Sequence, residues 1–141
     1  GDVTYITSDT EYLSAKASER ALNFTNSVLE EAKRFQGLEL EGDVARGLHI
    51  LNSDQSLPAP RAKEKVAELA AIASKLSSVY GQGKYCNAAG ECTGLEDLMA
   101  IMASSHDYDA LLDAWQGWST VSPPIHADFE TVPALLNQGA H

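Results

Sequence analysis

Tyr108-Asp109-Ala110-Leu111-Leu112-Asp113-Ala114-Trp115-Gln116-Gly117-Trp118 carries its large apolar side chains at Tyr108, Leu111, Leu112, Trp115 and Trp118, three and four positions apart. That spacing returns to one face of an α-helix every turn, whereas a half-buried strand would alternate every second residue. The stretch therefore predicts a helix. Asp107 just before it has the short acceptor side chain that suits an N-cap. Trp115 and Trp118 are expected in the core, supplying most of the buried aromatic area. Downstream, Pro123-Pro124 forces a break. A last helix is then expected from about Ile125 to Gln138 on Phe129, Val132, Leu135 and Leu136, with Pro133 removing one backbone donor and kinking it.

Upstream the same period recurs. Thr93-Gly94-Leu95-Glu96 reads as a capping box opening a helix that carries Leu98, Met99, Ile101 and Met102. Before it, Val66, Leu69, Ala70, Ile72, Ala73, Leu76, Val79 and Tyr80 form a helical stripe that Gly81 is placed to stop. Ser8-Asp9-Thr10-Glu11 is a second S-x-x-E box, and the long helix behind it repeats Tyr12, Leu13, Ala17, Ala21, Phe24, Val28, Leu29, Ala32 and Phe35 until Gly37. Asp43 opens a short helix with Val44, Leu48 and Leu51. Ser53 to Pro60, with Pro58 and Pro60, is the clearest linker, because a proline disfavours helical geometry in the residue before it. No strand alternation, internal repeat or sustained heptad interrupts this reading. The fold class is all-α, a single helical region over residues 1–141.

The chain has 141 residues, with 20 acidic against 10 basic side chains and a formal charge of -10. This sign disfavours a broad nucleic-acid footprint or an anionic membrane surface as partner. Apolar residues at 44% and charged residues at 21% match ordinary folded proteins. No apolar run approaches the roughly 18 to 20 residues that span a bilayer. Gly1 to Ser8 lack a basic segment followed by an apolar one, so any export signal is expected to have been removed already.

Cys86 and Cys92 enclose Asn87-Ala88-Ala89-Gly90-Glu91, a small interior able to turn back on itself. A disulfide-closed hairpin fits best. Free thiols and a metal pair are the alternatives, although zinc pairs are more closely spaced, at about two to four residues, and need two further ligands. An oxidised pair favours the periplasm or the cell exterior.

Other chemistry is thin. His126 and Glu130 stand four apart and share a helix face, but an exposed pair is the plainer reading without more ligands. The same holds for His106 beside Asp107 and Asp109. Gly81-Gln82-Gly83-Lys84 follows a helix rather than a strand and lacks the spacing of a phosphate loop. Asn23-Phe24-Thr25 is a glycosylation sequon inside an expected helix, where a polar face explains it as well. Glu39, Glu41 and Asp43 read as a solvated loop.

The order of these features resembles a known family. Thr4-Tyr5-Ile6-Thr7, then Leu13-Ser14-Ala15-Lys16-Ala17-Ser18-Glu19-Arg20, then Cys86-x5-Cys92, the Tyr108 to Trp118 block and Leu135-Leu136-Asn137-Gln138-Gly139-Ala140 are similar to the angiotensin-converting enzyme family of zinc dipeptidyl carboxypeptidases, its bacterial branch above all. The resemblance covers nearly the whole chain but only the N-terminal part of a much longer enzyme.

That resemblance implies several things. The family's H-E-x-x-H motif, in which two histidines one helical turn apart and a later glutamate hold zinc, is absent: none of His49, His106, His126 or His141 is followed by Glu and His at that spacing. No catalytic or metal-ligating residue is therefore assigned, and zinc belongs to the complete enzyme. Ser8 to Leu51 would form the family's lid over a deep peptide cleft, with the cysteine pair as a disulfide near it. Glu96, four residues after the second cysteine, would face the subpocket just beyond the scissile bond and is the one substrate-binding candidate, with the Thr93 capping box as its competing role. Chloride-activated members carry arginine directly after the second tryptophan. Here Ser119 stands there, so chloride binding is doubtful. The expected partners are the remaining catalytic part and a peptide substrate. The alternative is a stand-alone, non-catalytic helical binding module.

Overall fold

The computed structural model describes residues 5–53 and 59–139. It is mostly helical: α1 (Ser8–Ala32), a 3-10 turn (Lys33–Phe35), α2 (Gly42–Ser53), α3 (Lys63–Gln82), α4 (Leu95–Ser104), α5 (Tyr108–Ser119), a second 3-10 turn (Pro123–Ile125) and α6 (His126–Gly139). The chain is not helical from end to end. Between α3 and α4, β1 (Lys84–Cys86) and β2 (Cys92–Gly94) pair antiparallel. Their three residues each are too few to show the alternation by which strands are read from sequence.

Helix starts follow side-chain chemistry, shifted in two places from the sequence reading. At α1 the cap is Thr7, not Ser8: its hydroxyl accepts from the Thr10 amide at 3.2 Å, and the Thr10 hydroxyl accepts from the Thr7 amide at 2.8 Å. Two threonines thus make the reciprocal pair expected of Ser8 and Glu11. At α4 the box of Thr93 and Glu96 does not form. Thr93 is held extended in β2 opposite Tyr85, so Gly94 becomes the N-cap and no side chain caps the helix. Asp107 caps α5 as expected, accepting from the Asp109 amide at 3.0 Å. Helix α1 tightens into the 3-10 turn before Gly37, whose φ of 80° suits glycine. Helix α3 continues through Gly81 to Gln82, and the end of the Ile6 side chain lies against Gly81. Helix α6 runs on through Pro133.

Helices α1 and α3 form the most extensive helix pair, α6 lies against α3, and α5 packs on α4. One core cluster joins Ala59, Leu69 and Leu135, with Leu22 packed on it. A second joins Leu95, Leu98 and Ala114, with Tyr80, Tyr85 and Trp118 around it. Of the proposed linker, residues 54–58, including Pro58, lie outside the described residues. Its end is structural rather than loose: Ala59 and Pro60 are buried, and the Pro60 carbonyl accepts from Asn26 Nδ2 at 2.9 Å.

Two apolar stripes turn inward only in part: Val28, Leu29 and Ala32 of α1 and Leu111 and Trp118 of α5 are buried or half-buried, but the rest of each stripe is not. The less exposed side of α1 runs through Glu11, Ala15, Ser18, Leu22 and Asn26, while Tyr12, Leu13 and Phe24 point outward, each more than 60% exposed. Small residues on the inner side let the α1 backbone come close enough to α3 for Ser74 to donate to the Glu11 carbonyl. In α5, Ala114 and Gly117 take the buried positions, leaving Trp115 59% exposed. The expectation of two core tryptophans is corrected: Trp118 is half-buried against Tyr80, and Trp115 lies outside the core.

Candidate functional site

The β1–β2 hairpin, the first turn of α4 and the facing side of α5 form one unit. Asn87 organises the turn of the hairpin. Its Oδ1 accepts from the amides of Ala89 and Glu91, both at 3.0 Å, and its own amide donates to the Glu91 carbonyl. Gly90 supplies the positive φ of 83° that closes the turn. The register sets Lys84 opposite Gly94, Tyr85 opposite Thr93 and Cys86 opposite Cys92. Cys86 and Cys92 are joined as a disulfide, so neither is a free thiol or a metal ligand.

Tyr85 attaches the hairpin to α5. Its ring lies directly over Gly117, where any Cβ would strike it, and its hydroxyl donates to Asp113 Oδ1 at 2.8 Å. That hydrogen bond, helped by desolvation and by the charge of Asp113, holds the phenol above its ordinary pKa. Neither Tyr85 nor Asp113 emerges from the sequence reading. The available signal was Gly117 between two tryptophans, a gap in an otherwise bulky helix face that marks a close neighbour.

Glu96 sits in the first turn of α4 beside Asp97, where carboxylates interact favourably with the helix dipole. Its side chain is exposed, and among the described residues no hydrogen bond or ion pair engages it. The capping role that competed for this carboxylate is therefore not taken up, and it is free to meet a cationic or hydrogen-bond-donating group.

The remaining candidates stay apart. His126 Nδ1 lies 3.6 Å from Glu130 Oε1, with both side chains more than 70% exposed, an open surface pair. His106 is exposed, and Asp107 is occupied as a cap. Gly81 to Lys84 spans the C-terminus of α3 and the start of β1, the end of a helix dipole that repels anions. Asn23 Nδ2 donates to the Glu19 carbonyl within α1, and Glu39, Glu41 and Asp43 are exposed. The Ser119 hydroxyl donates to the Trp115 carbonyl at 2.8 Å. His141 lies outside the described residues. Among the described residues no three His, Cys, Asp or Glu side chains converge to hold a metal ion.

An apolar groove separates α1 from α2. Phe24, Val28 and, from the 3-10 turn, Phe35 line one side and Leu48 and Leu51 the other of this open groove of about 440 Å³. No described helix is long and apolar enough to cross a membrane.

These features describe a helical, disulfide-bearing scaffold with an exposed carboxylate at the start of α4 and several uncovered apolar faces. The angiotensin-converting enzyme family model matches residues 2–141. The angiotensin-converting enzyme-like protein Ace3 of Mus musculus is 34% identical over 103 residues, covering 72% of this chain and 14% of the relative. Angiotensin-converting enzyme of Oryctolagus cuniculus is 38% identical over 71 residues, 48% of this chain and 5% of the relative. The Rattus norvegicus enzyme is 33% identical over 94 residues, 63% and 7% respectively. The chain belongs to the angiotensin-converting enzyme family. It spans between 5% and 14% of the length of these relatives.

Proposed function

We propose that this chain is the N-terminal, lid-bearing portion of a zinc-dependent dipeptidyl carboxypeptidase, a metallopeptidase that releases dipeptides from peptide C-termini. In this reading α1 and α2 form the lid, narrowing a cleft so that flexible peptides enter and folded proteins do not. Glu96 lines the subpocket just beyond the scissile bond. Zinc would be held by the catalytic part of the enzyme, where it would supply Lewis-acid chemistry for peptide hydrolysis. The contribution of this chain is to bind and orient.

The observation that carries the reading is a family match across residues 2–141 by a chain that corresponds to a small share of each relative's length. The outward faces of α1 and α5 support it: Tyr12, Leu13, Phe24, Tyr108, Leu112 and Trp115 are apolar surface suited to cover by more protein. A disulfide supports a secreted or periplasmic setting.

The test is to read the coding sequence beyond the codon for His141 and assay the whole product. An open frame reaching H-E-x-x-H and a later glutamate is expected, with dipeptide release that a chelator abolishes. A stop codon directly after His141 would overturn the reading and leave a non-catalytic helical binding module in its place.

A further inference from the structure

The start of α4 is not set by a side-chain cap. A helix leaves its first four amides without intrahelical acceptors, and at Gly94 no side chain supplies one. What fixes the start is the strand in front of it: β2 ends at Gly94 and α4 begins at Leu95. Strand β2 is in turn held by pairing with β1, and a two-stranded ribbon of three residues each has little stability of its own. The ribbon therefore depends on what holds β1 to the helices.

Tyr85 makes that attachment. Its backbone lies opposite Thr93, its ring covers Gly117 in α5, and its hydroxyl donates to Asp113 one helical turn earlier. From this geometry we infer that Tyr85, oriented by Asp113, is a positioning residue that fixes the first turn of α4 and hence the carboxylate of Glu96. The disulfide closes the far end of the same ribbon, so the hairpin is secured at its tip by Cys86–Cys92 and at its base by Tyr85. Leu95, buried beside Gly83 and Val121, anchors the residue between the ribbon and Glu96. The consequence for substrate rests on the role proposed above for Glu96; the consequence for α4 does not.

Both are tested in the whole protein encoded by the gene. Tyr85→Phe removes the hydroxyl and keeps the ring; Asp113→Ala removes the acceptor, and Asp113→Asn retains one. Amide exchange at residues 98–101, whose helical acceptors are the carbonyls of residues 94–97 at the start of α4, is expected to accelerate about 3- to 10-fold in Tyr85→Phe and Asp113→Ala, no further in the double variant, and less in Asp113→Asn, with α1 and α3 unchanged. Unchanged α4 exchange, or acceleration spread equally over every helix, would overturn the inference. A second readout uses peptides bearing lysine or neutral norleucine just beyond the scissile bond. Tyr85→Phe is expected to raise KM for the lysine peptide about 3- to 10-fold with kcat unchanged, and to add nothing in a Glu96→Gln background. If Glu96→Gln leaves the lysine preference intact while α4 exchange still responds to Tyr85→Phe, the substrate reading of Glu96 fails and the positioning of α4 stands. If Glu96→Gln abolishes the preference and Tyr85→Phe alters neither exchange nor KM, the positioning fails alone.

Discussion

The hydroxyl of Ser74 donates to the carbonyl of Glu11 at 2.9 Å, joining α3 to α1 across 63 residues of chain. Ser74 is buried, and the contact exists because neither helix puts a large side chain between the two backbones. Ser74→Ala is expected to cost about 0.5–1.5 kcal/mol, one net hydrogen bond. Ser74→Leu would force the helices apart and cost about 1–3 kcal/mol. Urea unfolding of both variants checks the order; equal losses would mean that close approach is not what Ser74 provides.

Two glycine substitutions should move stability in opposite directions. Gly117→Ala gains helix propensity but drives a methyl into the Tyr85 ring, for a net loss of about 1–3 kcal/mol. Gly47 lies inside α2 with open space around it, so Gly47→Ala should stabilise by about 0.5–1 kcal/mol. Thermal melts of the pair, followed by circular dichroism, measure the difference.

Removing the disulfide should destabilise the hairpin and the α4 start. For a loop this short, chain entropy gives about 2 kcal/mol, so Cys86→Ala with Cys92→Ala lowers stability by that order. A thiol titration of the denatured wild-type chain should read no free thiol before reduction and two after it.

Trp115 and Leu98 should separate surface from core. Trp115→Ser, at an exposed site, is expected to change unfolding free energy by no more than about 0.5 kcal/mol while reducing self-association in sedimentation. Leu98→Ala empties a fully packed position and should cost about 2–5 kcal/mol. A large stability loss from Trp115→Ser would show that its indole supports the fold.

Tyr85 should titrate above the ordinary tyrosine range, because its hydrogen bond to Asp113 requires the neutral phenol. A raised folded-state pKa means that the contribution of this pair is complete below the unfolded value. It is lost as pH rises through the folded one. In an ultraviolet titration, Tyr85→Phe should remove a late component of the tyrosinate signal, and Asp113→Ala should bring that component back toward the ordinary range.

Much of the fold was legible in the chain. The periods through Val66 to Tyr80 and Tyr108 to Trp118 located α3 and α5, and Cys86 and Cys92 located a closed hairpin. The capping assignments slipped where two solutions competed. Thr7 with Thr10 replaced Ser8 with Glu11, and pairing of Thr93 with Tyr85 took away the cap expected of Thr93. At the candidate site, Glu96 was legible from the family resemblance, but its freedom from the capping role was not, since that depended on the conformation of Thr93. Tyr85 and Asp113 stand 28 residues apart and carry no shared pattern, so nothing local links them.

By itself the sequence determined where helices run and which cysteines meet, because periodicity, proline and short loops act within a few residues. Tertiary structure decided which side of α1 and α5 turns inward, whereas the stripes of α3, α4 and α6 bury Val66, Leu69, Leu98 and Leu135 as the sequence indicates. An apolar stripe states a preference for burial without naming what will cover it. In this chain α1 reaches α3 through the Glu11 carbonyl and Leu22, and α5 reaches its neighbours through Ala114 and Gly117. Small side chains permit the close approach on which Ser74 and Tyr85 depend, and Phe24 and Trp115 are left facing outward.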